Sequence, residues 1–291
     1  KAGYVSQTKT VVLSTSQTAM VDFALVLAPA TSVLFSDSFN RADADRCVLG
    51  RADLAFGGTG SHFYLPIFPF GGTDASRPIG ASIVSGALQN NGLDFGGVQF
   101  AASDGACGNL GVRGQNMGQD LNIRVDLQVP SDAAGDISQA GPYLRSRLAP
   151  AGDGIIGGAD FDPSGGYWVQ LHSSGEVKVK RLSPGATIAF TGRSASSNPN
   201  VFHTVEIAAQ GENLQVALDG KLQTFNQGGQ LVTVVSIPNT GAGNQGAAGL
   251  AFGAEDNRSK IGGQRADNLI VSPFSSLTGL PVQNNFEQAR P

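Results

Sequence analysis

Short stretches of alternating apolar and polar residues, separated by turn signals, recur along this chain. The clearest is Gly165 to Leu182, GGYWVQLHSSGEVKVKRL. In it Tyr167, Val169 and Leu171 fall on one side and Trp168, Gln170 and His172 on the other. Val177 and Val179 then oppose Lys178 and Lys180, and Ser173-Ser174-Gly175 makes the turn between the two runs. Alternation with period two predicts a half-buried hairpin. A hairpin alone is marginal in water, so its apolar face requires a second sheet.

The same pattern predicts strands at Leu121–Val129, Ala140–Leu148, Phe202–Ala208, Leu214–Leu218, Ala247–Phe252 and Ala266–Val271. Ala81–Gln89 reads as one strand, with Asn91-Gly92 turning into a second over Leu93–Ala101. Prolines break His62–Phe70 and make it loop or edge strand. The predicted fold is all-β, a two-sheet antiparallel sandwich over residues 33–273, with a tail at 274–291.

Residues 1–30 stand apart. Val5–Leu13 and Ala19–Leu27 predict a β-hairpin extension, with Val21, Phe23, Leu25 and Leu27 on one apolar face. That face needs an acceptor, because burying one such side chain is worth roughly 1.5–3 kcal/mol. The chain starts at Lys1 without an initiator Met, which reads as a mature or excised segment.

Composition narrows the function classes. Forty glycines and only 14% charged residues suit a loop-rich β-protein, and 41% hydrophobic residues suffice for a core. A net charge of -4 and a pI near 5.3 argue against nucleic acid as the main partner. The longest apolar run, Phe23–Ala30, is too short for a helical span, so no membrane insertion is expected. Cys47 and Cys107 are the only cysteines. In a chain that reads as extracellular or cell-surface they are predicted to pair, which would contribute roughly 3–4 kcal/mol. The alternative is two separate thiols.

The segments DSFNR, AGPYLRSR, GYWVQLHSSGEVKVKRL, FHTVEIAAQGENLQVALDGKLQTF, AAGLAFG and ADNLIVS follow one another in an order that resembles the concanavalin A-like, laminin-G-like jelly roll of bacterial extracellular proteins. The resemblance covers residues 33–273. It implies two antiparallel sheets, one of them concave, in a family of glycan-binding modules and some glycoside hydrolases. Residues 1–30 resemble the closing hairpin of a carboxypeptidase-regulatory-like (transthyretin-type) β-sandwich. The resemblance also implies a structural calcium near Asp37 and Asp267, in the first and last strands.

Candidate chemistry follows. Glycoside hydrolysis needs two carboxylates flanking the bond. The retaining glucanases of the fold carry a Glu-x-Asp-x-x-Glu-like strand, and no two of Glu176, Glu206, Glu212, Glu255 and Glu287 have that spacing. His62, His172 and His203 are scattered and form neither a triad nor a zinc motif. Asp153, Asp160 and Asp162 crowd a glycine loop and offer an alternative calcium site, or Asx-turns. The glycan site is predicted on the outer face of the central hairpin: Trp168 as stacking platform, with Gln170, His172, Arg145 and Arg147 as donors. The alternative is that Trp168 packs against the 57–80 segment or the N-terminal hairpin. The expected function is a non-catalytic extracellular module binding a carbohydrate or surface ligand. A fibre subunit self-associating by strand addition through residues 1–30 is the second reading, and a divergent hydrolase the third.

Overall fold

A computed structural model describes residues 33–44, 49, 52–54, 63–67, 81–90, 95–101, 116–131, 138–146, 166–182, 186–192, 198, 200–238, 246–254 and 263–274. Contacts divide the chain into Lys1–Ser32 and Val33–Pro291, and every described residue belongs to the second unit. The hairpin predicted over residues 1–30, Cys47, Cys107, Arg147, Asp153, Asp160 and Asp162 lie outside the described residues.

The strands, in chain order, are β1 (Phe35–Asp37), β2 (Phe63–Ile67), β3 (Ala81–Val84), β4 (Ala87–Asn90), β5 (Phe95–Ala101), β6 (Leu121–Gln128), β7 (Ser138–Ser146), β8 (Tyr167–His172) and β9 (Val177–Arg181). They continue with β10 (Ala186–Phe190), β11 (His203–Gln210), β12 (Asn213–Leu218), β13 (Lys221–Leu222), β14 (Phe225–Gln227), β15 (Gln230–Val232), β16 (Val235–Ser236), β17 (Ala247–Ala254) and β18 (Arg265–Pro273). Two antiparallel sheets of nine strands result. A back sheet runs β13-β12-β11-β6-β18-β4-β3, with β1 on β18 and β16 on β12. A front sheet runs β15-β14-β10-β9-β8-β7-β17-β5-β2. The chain passes repeatedly from one sheet to the other, and this winding makes the sandwich a jelly roll. No helix among the described residues is long and apolar enough to cross a membrane.

Alternation explains the core. Along β6, Leu121, Ile123, Val125 and Leu127 are buried, while Asn122, Arg124, Asp126 and Gln128 alternate with them on the outer face. Val169 and Leu171 of β8 meet these residues in one cluster with Val205 and Ile207 of β11. Phe35 of the back sheet stacks on Phe100 of the front sheet, ring centroids 4.6 Å apart. Each such side chain contributes roughly 1.5–3 kcal/mol on burial, and the two sheets supply each other's apolar face.

One predicted strand is in fact a hairpin. Ala81–Gln89 folds back at Ser85-Gly86, where φ is 50° and 71°. Two successive positive φ angles define the tight turn that matches strand twist. Consequently β5 does not return beside β4 but crosses to the front sheet. β2 takes the edge position that its proline suits.

Candidate functional site

The outer face of the front sheet is built on small residues. Gly141 of β7 pairs with Ala251 of β17, and Ala251 with Gly97 of β5. Tyr143 and Trp168 are direct cross-strand partners on this floor. Tyr143 Oη donates to the Val98 carbonyl at 3.2 Å, so the ring must cross β17 at Gly249. A Cβ on Gly249 would collide with that ring and with the Val98 carbonyl. Trp168 Nε1 donates to the Gly141 carbonyl at 3.0 Å. With Ala251 and Leu182, these two aromatics form a small apolar cluster separate from the main core.

Trp168 therefore occupies the predicted side of β8, opposite Tyr167, Val169 and Leu171, but it is only 2% exposed. The indole is packed on its own sheet and its N–H is satisfied internally. Gln170 and His172 are buried as well, at 2% and 1%. The three side chains are brought together, as a buried row rather than an exposed one.

Arg145 is enclosed too, at 1% exposure. The register of β7 against β17 shifts near this residue, and its φ of 56° breaks the alternation. Its guanidinium is buried, with Nε donating to the Gln119 carbonyl at 2.8 Å and Nη2 lying 3.4 Å from Asp120. Burial pushes its pKa below the usual arginine value, and Asp120, then Tyr167 and Glu212, push it back. Arg145 ties β7 to the segment that leads into β6.

What remains on the face are donors. Gln170 pairs across the ladder with Lys178, and Trp168 with Lys180. The Gln170 amide nitrogen is buried and meets no acceptor. Lys178 Nζ lies 3.5 Å from Glu176, and no carboxylate among the described residues pairs with Lys180. The same ladder continues from Lys178 to Phe190, Asn226 and Leu231. Exposure is 2% at Gln170, 44% at Phe190 and 78% at Leu231, with Asn226 half-buried between the last two. The face is thus closed at β8 and opens beyond β9. Sequence reading did not find Phe190, because the bulge between Thr187 and Ala189 interrupts the alternation that would have placed it.

The expected calcium pair is arranged differently. β1 does pair with β18, which brings the first strand to the last. Asp37, however, accepts Arg41 Nη1 at 2.8 Å and Nη2 at 2.9 Å, and the Phe39 N–H at 2.7 Å. Asp37 is thus engaged by a guanidinium. Asp267 accepts the Asn268 N–H at 2.7 Å. Burial raises its carboxyl above the usual range, opposed by that hydrogen bond and reinforced by Asp126. Among the described residues, no group of three His, Cys, Asp or Glu side chains could hold a metal ion.

No protein-family model matches the sequence, and no curated protein matches it. Solved structures give distant likenesses. A carbohydrate-binding module from Bacillus subtilis is 13% identical with a TM-score of 0.41, covering 73% of this chain and 95% of its own. The laminarinase from Rhodothermus marinus is 12% identical with a TM-score of 0.45, covering 84% and 97%. The β-glucanase of Bacillus licheniformis is 12% identical with a TM-score of 0.45, covering 84% and 100%. Likeness of this size decides neither fold nor activity, and the fold stands on the two sheets described above.

Proposed function

We propose that the protein is a non-catalytic, extracellular or cell-surface carbohydrate-binding module whose ligand enters over β9 and β10 onto the outer face of the front sheet. The observation that carries this reading is the Gln170 amide nitrogen, buried without an acceptor beside Lys178. A buried donor left unpaired costs about 1–3 kcal/mol, and a ligand oxygen would recover that cost. Phe190, two strands out along the same ladder and 44% exposed, offers an aromatic surface for the apolar C–H face of a sugar ring. Support for a non-catalytic role comes from the same face. None of the nine front-sheet strands contains Asp or Glu, and glycosidases of the ordinary kind need two carboxylates astride the bond. The fibre reading rests on residues 1–30, outside the described residues, and no observation favours it.

The test is a glycan array probed with the full chain and with Gln170→Leu. The variant is expected to fold with unchanged or slightly higher Tm, since an unpaired buried donor is removed, and to lose at least about tenfold in affinity. A variant that binds as well as the parent, or a parent that binds no glycan, overturns the reading.

A further inference from the structure

The front sheet is cationic within an acidic protein. The chain carries 19 Lys and Arg against 23 Asp and Glu. The front-sheet strands hold no carboxylate. Of their cations, Lys178 and Lys180 fall on the outer face as cross-strand partners of Gln170 and Trp168, while Arg145 is turned to Asp120 and Arg181 pairs with Tyr167. The back-sheet strands mix both signs, Asp37, Asp126, Glu206 and Asp267 with Arg124, Lys221 and Arg265. Glu176, outside the strand, answers Lys178, and no carboxylate among the described residues answers Lys180.

We propose that the ligand of this face is an anionic polysaccharide, recognised through a carboxylate or sulfate group, and not a neutral glucan. The inference rests on the carbohydrate reading of the same face and specifies its ligand. Gln170 Nε2 and Lys180 Nζ belong to diagonal neighbours on β8 and β9, about 7–8 Å apart along the ladder. Between them lies Lys178, the direct partner of Gln170. All three can only donate through these nitrogens. A sugar hydroxyl both donates and accepts, so these three nitrogens use only its accepting side. A carboxylate or sulfate only accepts, carries the opposite charge, and forms stronger, charge-assisted bonds. The geometry of exposure agrees. Gln170 is enclosed, where a desolvated amide would hold an anionic oxygen, while Lys178 and Lys180 are half-buried towards the open side, where they attract an incoming polyanion. Phe190, next to Lys178 on the ladder and 44% exposed, offers a stacking surface about one strand spacing, roughly 4.8 Å, further out.

The experiment is calorimetric titration of the full chain with polygalacturonate, with dextran sulfate and with laminarin as the neutral glucan, each at low and high salt. One or both polyanions should bind at least about tenfold tighter than laminarin at low salt, with affinity falling as salt rises. Which polyanion binds distinguishes carboxylate from sulfate recognition. Lys180→Gln should weaken the polyanion about fivefold without moving Tm, while Lys221→Gln, an exposed lysine on the back sheet, should change nothing. Laminarin binding at least as tight and insensitive to salt overturns the anionic ligand and leaves the carbohydrate module standing. Equal losses in Lys180→Gln and Lys221→Gln reduce the effect to general charge attraction and overturn it as well. Binding of none of the three overturns the carbohydrate reading and this inference together.

Discussion

The two outer faces of the sandwich use their polar groups differently. On the back sheet the polar groups answer one another. Thr204 Oγ1 donates to Asp126 Oδ1 at 2.6 Å, and Asn268 Nδ2 to Asp126 Oδ2 at 2.9 Å. The Thr204 N–H reaches Asp219 Oδ1 at 2.9 Å, and His203 Nδ1 lies 2.8 Å from Asp219 Oδ2. Arg124 and Glu206 lie 3.7 Å apart. This is how a solvated sheet face closes its accounts. On the front sheet, aromatic rings lie on glycines, and a buried amide nitrogen has no acceptor. The difference teaches where to look for a ligand. The contrast is one of degree: the back face also buries an unmatched donor, Arg265 Nε, but in a side chain whose Nη2 donates to the Val84 and Ser85 carbonyls, whereas the Gln170 amide nitrogen has no acceptor at all.

The largest expected effect comes from disturbing the glycine floor. Gly249→Ala would drive a methyl into the Val98 carbonyl and the Tyr143 ring. Neither neighbour can yield easily, since one is backbone and the other is pinned by its hydrogen bond. We expect a loss of at least about 3 kcal/mol, enough to approach unfolding in a marginally stable domain. A glycine-to-alanine change at Gly192, where a Cβ meets nothing within 4 Å, should be nearly neutral. Urea denaturation of both variants checks the contrast, and equal stability would mean that the floor is not tightly packed.

Next in size is Arg145→Ala. It removes a buried cation bonded to the Gln119 carbonyl and facing Asp120, and should cost about 2 kcal/mol. Glycan affinity of the surviving folded protein should be unchanged. If affinity fell while stability held, Arg145 would belong to the ligand after all, and the line between structural and binding residues on the front sheet would have to move.

Much of this was readable in the sequence, and what was not has identifiable causes. Alternation placed Val169 and Leu171 in the core and Trp168 and Gln170 opposite, because a pleated strand admits only two sides. The Asp-Gly pair at Asp219-Gly220, the commonest kind of hairpin-turn pair, turns there with φ of 50° and 73°. Alternation failed at bulges. Arg145 and Asn268 both take positive φ beside register shifts, and a bulge turns the next side chain away from the face that counting assigns it. The Ser85-Gly86 turn was hidden inside an apolar run. Cover was beyond reach for a different reason: period two reports the side of a sheet, not what lies on it. Trp168 was therefore placed correctly and its exposure was not. The acid-free front sheet could have been found by sorting charges by sheet, which requires the topology first.

The smallest effect tests the back face and the metal expectation together. The Asp267 carboxyl is raised by burial and by Asp126, so the folded state holds its proton more tightly than the unfolded chain. Its stabilising contribution is complete below the unfolded value, about 3.9, and is lost as pH rises through the higher folded value. At neutral pH the charged form is thus a small liability beside Asp126. Asn at this position keeps an oxygen for the Asn268 N–H, which now sits 2.7 Å from Asp267 Oδ1, and removes the charge. Asp267→Asn should match the parent in Tm near the unfolded value and exceed it by about 1–2 °C at neutral pH, the gain kept small by partial solvation of the carboxyl. A calcium ion at Asp267 would reverse the sign. The variant would then melt lower than the parent in calcium, and chelator would lower the parent to meet it, because an ion bound only by the folded state stabilises it in proportion to ln(1 + [L]/Kd). Melting curves of both proteins, with calcium and with chelator, across that pH range separate a carboxyl held by the protein alone from one that holds an ion.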